Sequence, residues 1–151
     1  MITKIEDKPL KKQIATMVLD DLKDWFGISK YRNAYIEHSQ SLPFFAAYIN
    51  HQPVGFVVLK KTSEVTGEIY CMGVIKKYHR NGLGKKLYKE LEAFALKEGY
   101  KVMQVKTVEE GTYTLYDSTN RFYESLGFLK LEVLKTLWDE QNPCQLLVKP
   151  L

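Results

Sequence analysis

Only two cysteines occur in 151 residues, Cys71 and Cys144, with no Cys-x-x-Cys spacing and no histidine cluster beside them. That argues against a disulfide scaffold and against a thiolate metal site. Both fall in apolar, strand-like runs, where a thiol behaves as a small buried hydrophobe. The three histidines, His38, His51 and His79, lack ligand-like spacing, so no metal is implied. No apolar stretch reaches the roughly 18 residues that span a bilayer, and Met1-Ile2-Thr3-Lys4 leads into no apolar signal core. The expectation is a soluble, cytoplasmic protein with no membrane partner. Internal repeats, low-complexity tracts and linker-like segments are missing as well, which leaves residues 1–151 as one expected domain.

With 45% hydrophobic and 26% charged residues, a chain of this length can bury a core. Its formal charge of +4 and pI near 8.9 favour an anionic partner. Much of the positive charge gathers at Lys76, Lys77, Arg80, Lys85, Lys86 and Lys89, whereas acids recur at Asp20, Asp21, Asp24, Glu109 and Glu110. Clustering around one glycine turn describes a local anion site better than a basic surface. No nucleic-acid recognition motif accompanies it, which counts against a nucleic-acid partner.

Periodicity orders the elements as βααβββαβαββ. After a short strand at Ile2 to Glu6, Leu10, Ile14, Met17, Val18, Leu22 and Trp25 keep helical spacing as far as Gly27. A second helix is predicted from Ser29, as N-cap, to about Glu37. Phe44 to Ile49 and Val54 to Leu59 flank Asn50-His51-Gln52-Pro53 and form a hairpin, and Glu68 to Ile75 forms a third strand. Gly73 inside that strand implies a bulge or a close approach by another backbone. Leu83, Leu87, Leu91, Phe94 and Ala95 mark a long helix ended by Gly99. Tyr100 to Thr107 is a strand, and Ser118 to Leu126 is a short helix with Ser118 as N-cap. Two strands follow, around Leu129 to Val133 and Cys144 to Lys149. The fold class is therefore α/β (α+β): a mixed central sheet of about seven strands with about four helices.

A strand, a glycine-containing turn and a helix in succession put backbone N–H groups and the positive end of a helix dipole at one place, which suits an anion. The stretch is His79-Arg80-Asn81-Gly82-Leu83-Gly84-Lys85. Lys85 and Lys86 sit on the unfavourable side of that dipole, a cost of about 0.3 to 1 kcal/mol each that a bound anion would reverse. Arg80 can add a charge-assisted bond. Two other phosphate motifs fail here. A P-loop needs glycine where His79 stands and Ser or Thr where Lys86 stands, and the dinucleotide fingerprint needs a glycine at Leu87.

Three segments, Glu68-Ile69-Tyr70-Cys71-Met72-Gly73-Val74, His79-Arg80-Asn81-Gly82-Leu83-Gly84 and Arg121-Phe122-Tyr123-Glu124-Ser125-Leu126-Gly127-Phe128, resemble the GNAT superfamily of N-acetyltransferases, over about Phe44 to Phe128. His79 departs from the family loop, which begins with Gln or Arg. The resemblance implies acetyl-CoA as co-substrate and an amine acceptor. It implies that N–H groups from Arg80 to Lys85 hold the pyrophosphate, that the main chain of Met72, Gly73 and Val74 runs beside the pantetheine arm, and that Asn120 bonds that arm. By the same resemblance a free N–H near Val74 would face the thioester carbonyl, with Gly73 marking a splayed strand. A homodimer is compatible with it.

The chemistry asks for two proton carriers. An amine with a pKa near about 10 must lose a proton before it attacks a thioester. Glu68, the acid opening the apolar run before the loop, is the candidate base, and by the same resemblance it falls where several GNAT enzymes carry one. A departing thiolate leaves more readily when a hydroxyl protonates it, and Tyr123 is the candidate acid; on its helix it shares a face with Thr119 and Asn120 while Phe122 and Leu126 turn to the core. Direct attack in a ternary complex needs no cysteine nucleophile. Trp25, Tyr31, Tyr35, Glu37, Glu109, Glu110 and Tyr113 could frame a cationic acceptor. The rival functions are a non-catalytic acetyl-CoA sensor and, behind it, a nucleic-acid-binding domain.

Overall fold

The computed structural model describes all residues, Met1–Leu151, and divides them into two compact units. Seven strands and four helices follow the expected order, with strand neighbours β1-β2-β3-β4-β5-β7-β6. Strand β4 (Thr66–Val74) starts in the second unit and continues in the first. No helix is long and apolar enough to cross a membrane.

The first unit comprises Met1–Lys60 and Ile69–Glu98. It holds β1 (Ile2–Ile5), α1 (Lys8–Asp21), α2 (Ser29–Ser39), β2 (Phe44–Ile49), most of β3 (Gln52–Lys61) and of β4, a 3-10 turn at Lys76–Tyr78, and α3 (Leu83–Lys97). Helix α1 starts where Asp7 Oδ2 accepts from Leu10 N–H at 2.9 Å, with proline in its first turn. The apolar periodicity outlasts the helix: Leu22 is its C-cap, and Trp25 and Phe26 N–H donate to Leu22 O from the turns beyond. Ser29 is not the cap of α2. Ile28 occupies that position without a side-chain bond, and Ser29 lies inside the helix. Asn50 and His51 make the hairpin turn with φ of 50° and 66°, a conformation that Asn tolerates better than most residues.

Successive residues of β2 face opposite ways. Phe44 stacks on Phe56, 5.1 Å between centroids, in a core shared with Ile14, Val18 and Leu19 of α1. Phe45 meets Phe94 of α3 at 5.7 Å. Helices α1 and α3 therefore cover opposite faces of this part of the sheet.

The second unit comprises Lys61–Glu68 and Gly99–Leu151. It holds β5 (Val102–Val108), α4 (Thr114–Ser125), β6 (Leu129–Asp139) and β7 (Asn142–Pro150), with β7 antiparallel to both β5 and β6. Helix α4 starts four residues before the expected Ser118, with Tyr113 as its cap position. The Ser118 hydroxyl donates back to Leu115 O inside the helix, while Asp117 accepts from Gly111 N–H at 2.7 Å and folds the preceding turn over the first helical turn. Strand β6 alternates apolar and charged residues without burying the apolar ones: Leu129 and Leu131 are 62% and 59% exposed. It is one of the two edge strands, so no strand pairs with its far side.

Candidate active site

The glycine turn between the 3-10 turn and α3 is built from two left-handed residues, Arg80 at φ 65° and Gly82 at φ 75°. Left-handed residues spaced this closely belong to the turn geometries that aim backbone N–H groups into an anion-binding concavity. The first bond into the α3 ladder runs from Lys86 N–H to Gly82 O, so the amides of Leu83, Gly84 and Lys85 precede the ladder. A Cβ on Gly82 would meet nothing within 4 Å, so only the φ makes glycine the favoured residue. Leu83 is buried and anchors the turn, Gly84 is half-buried, and Arg80, Asn81, Lys85 and Lys86 are exposed. The cationic cluster is smaller than the sequence suggests, because Lys76 Nζ binds Asp24 at 2.8 Å.

His79, the residue that departs from the family pattern, closes the turn onto its own strand. Its Nε2 lies 2.5 Å from Val74 O and its ring meets Trp25 edge-on at 5.8 Å. A second tie runs from Lys76 N–H to Asp21 Oδ2 at 2.7 Å. Spacing could not find these partners, since Trp25 and Asp21 are more than fifty residues away in sequence.

At the end of β4, Met72 is half-buried, and Gly73 and Val74 are buried. A Cβ on Gly73 would lie 2.6 Å from Leu22 Cδ1 and 3.1 Å from Val18 Cγ1, so α1 packs directly on this glycine. The close approach at Gly73 comes from side chains of α1, where another backbone was expected. The N–H after Val74 is not free: Ile75 N–H donates to Val54 O at 2.9 Å.

Glu68 is not a solvated strand-end carboxylate. It is 5% exposed, with Oε1 3.0 Å from Lys106 Nζ and 3.3 Å from Gln104 Nε2. A buried carboxylate requires such partners. Gln104 and Lys106 are two apart on β5, and the alternation that buries Met103 and Val105 turns both to the other face. Sequence reasoning missed this pair, although the Gln104/Lys106 spacing was visible.

On α4, Asn120 and Tyr123 share a face and are the buried residues, at 0% and 7% exposure, whereas Phe122, expected to turn to the core, is only half-buried. Asn120 Nδ2 donates to Val108 O and Tyr116 O, both at 2.8 Å. Its Oδ1 is buried with no hydrogen-bond partner. An unsatisfied buried acceptor costs about 1 to 3 kcal/mol and marks a place where a ligand's donor fits. Tyr123 packs against Phe122 and Phe128, with centroids 5.5 and 6.0 Å apart.

Two of the three acids expected to frame an acceptor are engaged within the protein. Glu37 pairs with Lys12 at 3.2 Å and Glu110 with Lys130 at 2.9 Å. Tyr31 and Tyr113 are exposed, and the Tyr113 hydroxyl donates to Gln141 O. Both cysteines are buried, and burial pushes their thiols up, Cys144 to about 11 and Cys71 further. Neither is a nucleophile at neutral pH. Iodoacetamide at pH 8 is expected to leave both unmodified in the folded protein and to label both in denaturant; mass spectrometry reads the outcome, and labelling of the folded chain would contradict the burial.

Comparison with known proteins agrees with this architecture. N-alpha-acetyltransferase 30 of Homo sapiens is 31% identical over 121 residues, which cover 78% of this chain and 32% of that protein, so the chain spans about a third of the length of the curated relatives it matches. A GNAT family acetyltransferase from Elizabethkingia anophelis, solved with acetyl-CoA bound, shares the fold with a TM-score of 0.65 and 22% identity, over 77% of this chain and 81% of that one. Aminoglycoside 6'-N-acetyltransferase from Enterococcus faecium does so with a TM-score of 0.75 and 18% identity, over 99% and 96%. The family model of the acetyltransferase (GNAT) family matches residues 11–128, which take in β4, the glycine turn, α3 and α4, and to that family the chain belongs.

Proposed function

We propose that residues 1–151 act as one acetyl-CoA-dependent N-acetyltransferase domain, in which an amine attacks the acetyl thioester directly in a ternary complex. The observation that carries this reading is the turn with Arg80 and Gly82 both left-handed immediately before α3. It is the feature of the fold best suited to a pyrophosphate. Arg80, Asn81, Gly82, Leu83, Gly84 and Lys85 would hold that group, with His79 positioning the turn through Val74 O. Met72, Gly73 and Val74 would flank the pantetheine arm, and the unpartnered Oδ1 of Asn120 would accept one of its amide hydrogens. Acetyl-CoA supplies the activated acetyl group. Glu68 is the base that takes the amine's proton, directly or through water, and Tyr123 is the acid that returns one to the leaving sulfur. The reading extends to a cytoplasmic protein, with a homodimer as the assembly to test by light scattering.

Glu68 also serves as the partner of a lysine, so its two roles must be separated. Glu68→Gln keeps the size of the side chain and its reach toward Gln104 while removing the base. It is expected to lower kcat by about 10²-fold, with acetyl-CoA affinity unchanged. A folded variant with wild-type kcat would assign Glu68 to structure alone. Lys106→Met, which removes the partner and leaves the base, separates the roles from the other side.

The central test is calorimetric titration with acetyl-CoA, followed in the same samples by thiol release across a panel of amines. Saturable binding with release for one amine class establishes the enzyme and its acceptor class. Saturable binding with no release from any amine supports the sensor reading instead, and no binding overturns both.

A further inference from the structure

On the α1/α2 face of the first unit lies a cavity of about 290 Å³, lined by His38, Ser41, Leu42, Lys60 and Tyr70. Its size falls near the lower end of small-molecule sites, about 300 to 1,000 Å³. His38 stands in the last turn of α2, Tyr70 on β4, and Lys60 near the end of β3 on the face that carries Phe56 and Val58. The side chains are organised. His38 Nδ1 is 2.9 Å from the Tyr70 hydroxyl, the Tyr70 ring meets Tyr35 edge-on at 5.2 Å, and the Ser41 hydroxyl donates to His38 O.

The charge of this lining is one-sided. Lys60 Nζ stands 5.3 Å from the centroid of the Tyr70 ring and takes part in none of the ion pairs. No carboxylate lines the cavity. The acids nearest in sequence have partners of their own, Glu37 with Lys12, Glu64 with Lys61 and Glu68 with Lys106. With the Tyr70 ring facing a resident ammonium, the cavity is not built as an aromatic cage for a ligand's cation. It offers an ammonium, an imidazole whose Nε2 is the nitrogen not facing Tyr70, and an apolar wall from Leu42 and Tyr70. A carboxylate attached to a small apolar body matches that set, because a charge-assisted bond from a lysine to a carboxylate is among the stronger hydrogen bonds a site can make.

We propose that this cavity binds the carboxylate of a small ligand, with Lys60 as counter-ion and His38, oriented by Tyr70, as second donor. The proposal rests on the acetyl-transfer reading only for the source of the carboxylate, which belongs either to the amine acceptor or to a separate ligand.

Benzoate and its neutral counterpart benzamide are the probes. Titrated into ¹⁵N-labelled protein, benzoate is expected to shift the amides around His38 to Leu42, Lys60 and Tyr70 saturably, and benzamide to bind about tenfold more weakly or not at all. Lys60→Met, a change at an exposed position, should weaken benzoate about tenfold and leave benzamide unchanged. His38→Ala should weaken it less, with Tyr70→Phe intermediate between His38→Ala and the wild type. Equal binding of the two probes, unchanged benzoate affinity in Lys60→Met, or shifts confined to other parts of the chain would each overturn the proposal. Competition then identifies the source: benzoate that inhibits thiol release competitively with a carboxylate-bearing amine places the carboxylate on the acceptor, and benzoate that binds without competing places it on a separate ligand. The titration requires no turnover. A protein that fails to bind benzoate but binds acetyl-CoA loses this site and keeps the acetyltransferase reading, and the converse result does the opposite.

Discussion

Gly82→Asp is expected to reduce acetyl-CoA affinity by about 10²-fold, equivalent to about 2.7 kcal/mol, in a protein that remains folded. Each half of that expectation has its own cause. Folding survives because the position is open, with nothing within 4 Å of where a Cβ would stand, and because Asp is among the residues that tolerate a left-handed φ such as the 75° here. Asp is also a favourable residue at a helix N-cap, which is the place Gly82 occupies in α3. Binding fails because the new carboxylate settles at the same helix N-terminus that is proposed to receive the pyrophosphate. It satisfies the N–H groups a phosphate would use and repels the phosphate charge. Gly82→Asn, with the same shape and capping ability but no charge, should lose less affinity than Gly82→Asp, the difference being the charge repulsion. Calorimetry with acetyl-CoA, beside circular dichroism for the fold, checks both variants. Wild-type affinity in a folded Gly82→Asp protein would remove the turn from the site.

Tyr123→Phe is expected to lower kcat by about 10² to 10³-fold while the acetyl-CoA dissociation constant changes by less than about twofold. The ring's packing on Phe122 and Phe128 survives the change, so the fold stands and only the hydroxyl is lost. A proton delivered to the leaving sulfur is needed in the transition state and contributes nothing to ground-state binding, which is why the effect should appear in kcat. A large loss of affinity with unchanged kcat would make Tyr123 a binding residue, and unchanged values of both would remove it from the mechanism.

Where the candidate site was legible, local backbone chemistry carried the signal. A glycine just before an apolar heptad-like run, Gly82 ahead of Leu83, Leu87 and Leu91, marks a turn that needs a left-handed residue followed by an amphipathic helix, and both are present. Asn120 and Tyr123 are three apart on one helix, so their common face follows from 3.6 residues per turn, and both are buried. Capping was harder to read. Ser29 and Ser118 carry the side chains that caps prefer, yet Ile28 and Tyr113 hold those positions, because a helix packed against its neighbours begins where the packing begins and propensity yields to it. The apolar alternation of Leu129 and Leu131 likewise marked a strand without revealing that this strand would be the sheet's edge.

Local sequence is enough for the order of the elements, the glycine turn ahead of α3 and the helical face bearing Asn120 and Tyr123, since each depends on residues close to one another along the chain. Folding in three dimensions was needed to bring Lys106 and Gln104 to Glu68, to close Leu22 and Val18 on Gly73, to hold His79 between Trp25 and Val74, and to gather His38, Tyr70 and Lys60 around one cavity. Most of those pairings join segments far apart in the chain. Such contacts are selected by how the buried faces of strands and helices fit together, and no local periodicity encodes that fit.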